Sequence, residues 1–196
     1  MSSALSLTSA QCLHDNGWSM ISMRAYRSSG SVDSNTCTTL KNAKSAGIPQ
    51  RDAYLFPCPT CSKSAATQVS ETISHLQGCG TGVWNGMLWL DIEGSNYWTG
   101  SSSSNRSWYQ SLVTACKSHS GVTCGIYSSY YQWQSIFGST TYCYGQDMKM
   151  WYAHYDNVAN FSDYKEYGCW AHPYAKQYAG TSSVCSASVD KNHIES

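Results

Sequence analysis

Strand-like and helix-like segments alternate along the first 137 residues, and this order limits the possible folds more than any other feature of the sequence. Alternating strands and helices build a parallel sheet, because each helix returns the chain to the start of the next strand. The predicted strands cover 18–26, 51–56, 87–92, 122–127, 149–155, 170–178 and 187–193. The predicted helices cover 10–16, 36–46, 62–76, 105–119 and 129–137. This count fits a closed barrel with reduced later helices. An open doubly wound sheet is the alternative, but the Gly-rich turn that usually binds its ligand is absent.

Length and composition predict a single domain, 1–196, with no linker or internal repeat. Charged residues make up 12% of the chain, against about 25% in ordinary soluble domains. The formal net charge is zero, so we expect no electrostatic binding of nucleic acid or anionic membranes. The 8 tryptophans and 15 tyrosines can stack on the apolar faces of sugars, although ordinary core packing is their other use.

Ten cysteines predict five disulfides and an oxidising compartment. The spacing of Cys58-Pro-Thr-Cys61 also suits half a zinc site or a redox pair. No second CxxC and no HxxxH accompany it, so we expect no metal and no cofactor. Cys116 and Cys124 are the best candidates for a local disulfide, since they flank the turn between a predicted helix and strand. Cys58 and Cys61 can bond to each other or to separate elements.

The expected location is secreted, lysosomal or phagosomal. Asn105-Arg-Ser and Asn160-Phe-Ser are N-glycosylation sequons, which agree with secretion. No run of 18 apolar residues predicts a membrane span. The first residues lack the basic start and apolar core of a signal peptide, so we expect the natural precursor to begin further upstream.

Two carboxylates end the apolar strand Met87-Leu-Trp-Leu-Asp-Ile-Glu93. Residues i and i+2 of a strand share a face, so Asp91 and Glu93 point the same way. Close carboxylates repel, and one of them should keep its proton to higher pH than a free acid. A protonated carboxyl near neutral pH is what glycosidic cleavage requires at the leaving oxygen. The simpler alternative is a strand that runs into a polar loop with solvated acids.

Other hydrolytic chemistries lack their motifs. There is no GxSxG elbow for a serine nucleophile, no HExxH for zinc and no phosphate-binding loop. His154 and His172 lie in or near predicted strands without a nucleophile beside them, and we expect structural roles for both. The carboxylate pair is therefore the strongest chemical signal in the chain.

Five motifs in order resemble the strand ends of glycoside hydrolase family 25, the Chalaropsis-type lysozymes. They are Leu90-Asp-Ile-Glu93, Gly125-Ile-Tyr-Ser-Ser-Tyr130, Met150-Trp-Tyr-Ala-His-Tyr155, Ala175-Lys-Gln-Tyr178 and Ser188-Val-Asp190. Phe56-Pro-Cys-Pro-Thr-Cys61 is similar to the cysteine-rich invertebrate and amoebal branch of that family. The resemblance covers essentially the whole chain.

The resemblance implies an α/β fold, an irregular TIM-like (β/α)5(β)3 barrel. It implies a monomeric lysozyme that hydrolyses the β-1,4 bond between N-acetylmuramic acid and N-acetylglucosamine in bacterial peptidoglycan, for digestion of or defence against bacteria. Glu93 would be the general acid, Asp91 would tune Glu93 or orient the substrate's acetamido group, and Asp190 would be the third acid. The implied substrate-binding residues are Tyr127, Trp151, Tyr155, Tyr26, Tyr54 and Gln177.

The chain departs from the family pattern at its start. The family opens with a strand that ends in Asp-x-Ser, whereas Met1-Ser-Ser-Ala-Leu5 stands where the residues after that Asp would lie. We expect a truncated first strand. If residue 1 is instead the natural start, the protein lacks one active-site acid. The alternative function is a catalytically impaired glycan-binding protein on the same scaffold. Retaining, inverting and substrate-assisted routes are all compatible with the acids, and the Asp-x-Glu pair suits the substrate-assisted one best.

Overall fold

The computed structural model describes residues 1–194, so the predicted domain extends two residues beyond the described part. The helices are α1 (Leu7–Asp15), α2 (Thr36–Ser45), α3 (Ala65–Gly78), α4 (Ser102–Ser118) and α5 (Tyr130–Phe137). The strands are β1 (Met20–Arg27), β2 (Ser31–Val32), β3 (Gln50–Leu55), β4 (Leu88–Asp91), β5 (Cys124–Ser128), β6 (Lys149–Ala153), β7 (Ala175–Val184) and β8 (Ala187–Ile194).

All eight strands belong to one curled sheet, in the order β2-β1-β3-β4-β5-β6-β7-β8. Each pair from β1–β3 to β6–β7 is parallel, and β2 and β8 pair antiparallel at the two edges. The predicted mixed α/β class is therefore confirmed. In a parallel array the carboxyl ends of the strands meet at one edge, which is where a site can collect side chains from several strands.

The two faces of the sheet bury different residues. Leu88 and Leu90 of β4 point outward into the main core with the helices, whereas Trp89 between them points inward. The inner face also carries Trp151, whose ring lies 5.3 Å from that of Trp89 in an edge arrangement. Gly125 makes room for this stack, because a Cβ there would lie 2.4 Å from the Trp89 ring. The inward aromatic side chains form the floor beneath the strand ends.

Serine caps set the helix starts. The side chains of Ser6, Ser64, Ser101 and Ser129 accept a backbone N–H from the first turns of α1, α3, α4 and α5. Such caps satisfy amides that have no partner inside the helix. The cap at Ser101 begins α4 at Ser102, three residues before the predicted start at 105.

Five disulfides join all ten cysteines, as predicted: Cys12–Cys185, Cys37–Cys79, Cys58–Cys61, Cys116–Cys124 and Cys143–Cys169. The local pair between α4 and β5 is confirmed. The two cysteines of the CxxC segment bond to each other. In the part of the chain that the structure describes, no helix is both long and apolar enough to cross a membrane.

Candidate active site

A pocket of about 100 Å³ opens at the carboxyl ends of the parallel strands. Its residues come from the N-terminus, from every strand from β3 to β8, and from the segments that follow β4 and β6. The lining residues are Met1, Tyr54, Asp91, Glu93, Tyr127, Trp151, Tyr155, Gln177 and Asp190. The structure thus brings together all three predicted acids and five of the six predicted substrate-binding residues.

Asp91 and Glu93 meet different surroundings although they share a face. Asp91 is 4% exposed, and its Oδ1 is buried with no hydrogen-bond partner. Burial raises its pKa well above the ordinary value, and the neighbouring Glu93 raises it further. Burial also raises the pKa of Glu93, with Asp190 as the second cause. Glu93 is only half-buried and is the acid of this pair that a ligand can reach more easily.

Hydrogen bonds fix the backbone that carries Glu93. The Ile92 amide donates to the Tyr127 carbonyl at 2.8 Å, and the Ser128 hydroxyl donates to the Ile92 carbonyl at 2.7 Å. The Trp98 indole N–H donates to the Glu93 carbonyl at 3.2 Å. These bonds continue the β4–β5 pairing past the last residue of the strand, so the acid is held at a defined position.

Gln177 joins two tyrosines across the pocket. Its Oε1 accepts the Tyr127 hydroxyl at 2.5 Å and the Tyr155 hydroxyl at 2.7 Å. Trp151 packs edge-on against Tyr127 with ring centroids 4.7 Å apart, and its indole N–H donates to Asn192. Tyr155 itself is 59% exposed. The pocket therefore has one rigid aromatic wall and one aromatic ring open to solvent.

Asp190 and Tyr54 complete the pocket from the two sides. The Asp190 Oδ1 accepts the Thr181 amide at 2.8 Å, which ties β8 to an irregular part of β7. Burial raises the pKa of Tyr54, and the charge of Asp91 raises it further, so its hydroxyl stays protonated. A neutral phenol beside the acids can donate a hydrogen bond to a polar ligand.

Tyr26 does not line this pocket. Its side chain is fully buried on the outer face, and its hydroxyl donates to Glu71 of α3 at 2.8 Å. The cause is one extra residue in β1. Arg24 pairs with Tyr54, but the next residue of β3, Leu55, pairs with Tyr26, so one residue of β1 between them has no partner. That shift turns the side chain to the face opposite the pocket.

The regular part of β1, before this irregularity, carries a residue that sequence reasoning missed. Arg24 pairs with Tyr54 and shares its face, and its guanidinium Nε lies 2.8 Å from Asp33. The alternation of β1 could have indicated its position, but no motif marked it. The charge of Arg24 works against the raised pKa of Tyr54, and together with the larger effect of the Met1 ammonium it also works against the raised pKa of Asp91.

Within residues 1–194, two clusters outside the pocket have the ligand types of a metal site. One ligand atom from each of His154, Asp156 and Asp163 lies within 4.8 Å of the others. The ammonium of Lys176 already lies 2.7 Å from Asp156 and 2.6 Å from Asp163. A cation is thus built into the cluster. A similar grouping at His75 involves cysteines that are disulfide-bonded.

Comparison with known proteins identifies the family. The family model described as Lysozyme-like protein 1 matches residues 1–178. Probable GH family 25 lysozyme 2 of Dictyostelium discoideum is 40% identical and covers 98% of this chain and 87% of its own length. Lysozyme-like protein 5 of Caenorhabditis elegans is 39% identical, over 99% of this chain and 89% of its own. The muramidase structure from Trichobolus zukalii shares the fold, with a TM-score of 0.75 at 19% identity over 95% of this chain and 87% of its own. This chain belongs to the glycoside hydrolase family 25 lysozymes.

Proposed function

We propose that the pocket hydrolyses the β-1,4 bond between N-acetylmuramic acid and N-acetylglucosamine in bacterial peptidoglycan. The chain is a glycoside hydrolase of the lysozyme family. One observation carries the assignment of the site: two carboxyls with raised pKa values face an aromatic pocket at the strand ends. Protonating the leaving oxygen needs a carboxyl whose pKa lies above its ordinary value, and the surroundings shift the pKa of both acids in that direction.

The difference in exposure suggests how the acids divide the work. Burial raises the pKa of Asp91 more than that of Glu93, but Asp91 is almost fully buried. Glu93 is the acid that a ligand can reach, so we assign it proton donation to the glycosidic oxygen. Asp91 is nearly inaccessible, with one oxygen unpaired, and can accept an N–H from the substrate's acetamido group. That hydrogen bond would orient the acetamido carbonyl for attack on the anomeric carbon, which is the substrate-assisted route. Asp190 is the third acid, and its charge helps to raise the pKa of Glu93.

The aromatic residues supply the glycan-binding surface. Tyr155 offers an exposed ring for stacking on a sugar, whereas Tyr127 and Trp151 form the wall. Tyr54 and Gln177 offer polar groups between these surfaces. For the fold we propose the irregular (β/α)5(β)3 barrel, because α1 and four strand–helix units precede the last three strands.

Five disulfides fit an oxidising location, and we propose that the protein acts outside the cell or in a lysosome or phagosome. Either location would bring it to bacterial walls. There it would digest bacteria or defend against them.

The test is loss of turbidity of a bacterial wall suspension by wild type and by Glu93→Gln. The amide is nearly isosteric but cannot donate the proton, so we expect turnover to fall about 10²–10⁴-fold. Glu166→Gln makes the same change at an exposed acid outside the pocket and should leave lysis unchanged. Wild-type-like lysis by Glu93→Gln would reject the assignment.

Product analysis settles which bond is cut. Borohydride reduction of the products followed by acid hydrolysis should yield reduced muramic acid. Reduced glucosamine instead would mean cleavage at the other glycosidic bond of the repeat. Tight glycan binding without new reducing ends would mean a binding protein on this scaffold.

A further inference from the structure

Neighbouring residues of β7 hold the same loop from two sides. Lys176 and Gln177 are consecutive, so their side chains point to opposite faces of the sheet. Gln177 faces the pocket and accepts the Tyr155 hydroxyl. Lys176 faces outward, beneath the segment 154–163, which follows β6 and carries Tyr155.

The buried ammonium of Lys176 is the centre of an ionic network with the partly exposed Asp156 and Asp163. Its side chain is fully buried, and Nζ donates to Asp156 Oδ2 at 2.7 Å and to Asp163 Oδ1 at 2.6 Å. Tyr152 donates to the same Asp163 oxygen at 2.9 Å, and the ring of His154 contacts the other oxygen. An ammonium buried without these partners would suffer its desolvation penalty with no compensating ion pair, so the network opposes any opening of the segment.

The charge state of the network follows from these contacts. Burial alone would lower the pKa of Lys176, but the carboxylates of Asp156 and Asp163 raise it above the ordinary value. Burial raises the pKa of Asp163, and the hydrogen bonds from Lys176, His154 and Tyr152 together lower it to about 2. The ion pairs therefore persist in mildly acidic as well as neutral solution.

The network lies directly beside the exposed ring of the pocket. Asp156 follows Tyr155 in the chain, and His154 precedes it. The His154 amide donates to the Gln177 carbonyl and the Asn157 amide to the Tyr178 carbonyl, so the backbone on both sides of Tyr155 is attached to β7. The tyrosine hydroxyl is attached to the same strand through Gln177. Orientation of the ring therefore depends on how the segment is held against β7.

We propose that Lys176 is a positioning residue that holds Tyr155 in the orientation that stacks on the glycan. This proposal rests on the proposed function and adds a residue that does not touch the substrate. The alternative use of the cluster as a divalent cation site is disfavoured, because such an ion would have to displace the paired ammonium.

The first experiment compares wild type with Lys176→Met, which keeps the unbranched apolar stem of the side chain and removes its charged end. The substrate is a soluble oligomer of alternating N-acetylglucosamine and N-acetylmuramic acid. We expect KM to rise roughly tenfold, as for residues coupled within one network, while kcat changes by less than about twofold. Lys41→Met, at an exposed position on α2, is the matched control and should leave both constants unchanged.

A double-mutant cycle with Tyr155→Ala separates positioning from a general loss of stability. If Lys176 acts through Tyr155, Lys176→Met should change KM little once the ring is gone. Effects that multiply independently in the double variant would overturn the proposal, and so would an unchanged KM in folded Lys176→Met. Should Lys176→Met not fold, Asp156→Asn carries the same test, since Asp156 is partly exposed and its loss leaves the contact with Asp163.

Binding measured without turnover keeps this test distinct from that of the proposed function. The dissociation constant of the oligomer is measured in a Glu93→Gln background by tryptophan fluorescence. Lys176→Met should raise this constant roughly tenfold, and again only when Tyr155 is present. A wild type that binds the oligomer but does not cleave it would reject the proposed function, while the binding cycle would still decide the role of Lys176.

Discussion

At the scale of residues, the pocket distinguishes its acids by what surrounds each of them. Asp91 is buried with an unpaired oxygen, Glu93 is partly open, and Asp190 accepts a backbone amide. Because the groups interact, removing charge from one should change the protonation of another. The pKa of the proton-donating acid should therefore change when a neighbouring acid is replaced.

Asp190→Asn should therefore move the pH profile in a defined direction. The Asp190 charge is the second cause of the raised pKa of Glu93, so the uncharged amide should lower that pKa. If Glu93 must be protonated to act, the alkaline limb of kcat/KM should shift to lower pH. The asparagine oxygen can still accept the Thr181 amide, which keeps β8 in place. The measurement is the pH dependence of kcat/KM on the soluble oligomer.

Asp15→Asn is the control for this shift, because Asp15 is an exposed acid of α1 that does not line the pocket and does not affect the pKa of Glu93. Its profile should match that of wild type. An alkaline limb that stays in place or moves to higher pH in Asp190→Asn would contradict the electrostatic role given to Asp190.

At the scale of elements, hydrophobic alternation and turn residues were enough to predict most of the sheet. The inward placement of Asp91 and Glu93 follows from alternation alone, since the apolar residues between and before them fill the outer core. The strand predicted at 170–178 begins instead at Ala175 and continues to Val184. Serine, threonine and glycine at its far end carry no apolar signal, and pairing with β8 is what extends it.

Features set by register or by distant partners could not be predicted from the sequence. The direction of Tyr26 depends on an irregularity in β1 that no local pattern marks. The burial of Lys176 depends on two aspartates that reach it only after the chain has turned back from β6. A lysine within a strand of small and apolar residues, next to a glutamine of the pocket, was the one available sign.

Near the start of α4, the sequence predicts a glycosylation site at Asn105, whereas the structure gives this residue a buried, hydrogen-bonded side chain. Both predicted sequons are Asn-x-Ser, but Asn105 is 5% exposed and its amide donates to the carbonyls of Trp98 and Ile136. Asn160 is exposed on a loop. Asn105→Ala leaves both carbonyls unpaired and should lower the free energy of unfolding by about 2 kcal/mol, measured by denaturant titration.

Asn160→Ala is the matched control and should change the unfolding free energy by less than about 0.5 kcal/mol. Equal effects of the two substitutions would mean that the Asn105 bonds do not join α4 to its neighbours. The same geometry leaves no room for a glycan on Asn105 in the folded protein, so only the sequon at Asn160 agrees with this structure.

At the scale of the whole molecule, α1 and one disulfide connect the two ends of the sheet. Leu5, Ala10 and Leu13 pack with Val189 of β8 in a small separate core. Cys12 of α1 bonds to Cys185 in the turn between β7 and β8, across 173 residues of sequence. The pocket takes side chains from β3 to β8, so its shape depends on how the edge strand β8 is held.

Replacing both Cys12 and Cys185 by serine should destabilise the protein far more than the same change at Cys58 and Cys61. Chain entropy favours cross-links that close long loops, and the sequence separations of 173 and 3 differ enough for a gap of about 3 kcal/mol in unfolding free energy. Denaturant titration under non-reducing conditions measures both variants against wild type.

Since β8 carries Asp190, the variant that lacks Cys12 and Cys185 should also lose lytic rate at temperatures where it remains folded. Equal stability losses would mean that native packing, and not the closed loop, dominates. An unchanged lytic rate would mean that the α1–Val189 packing alone holds β8 against the pocket.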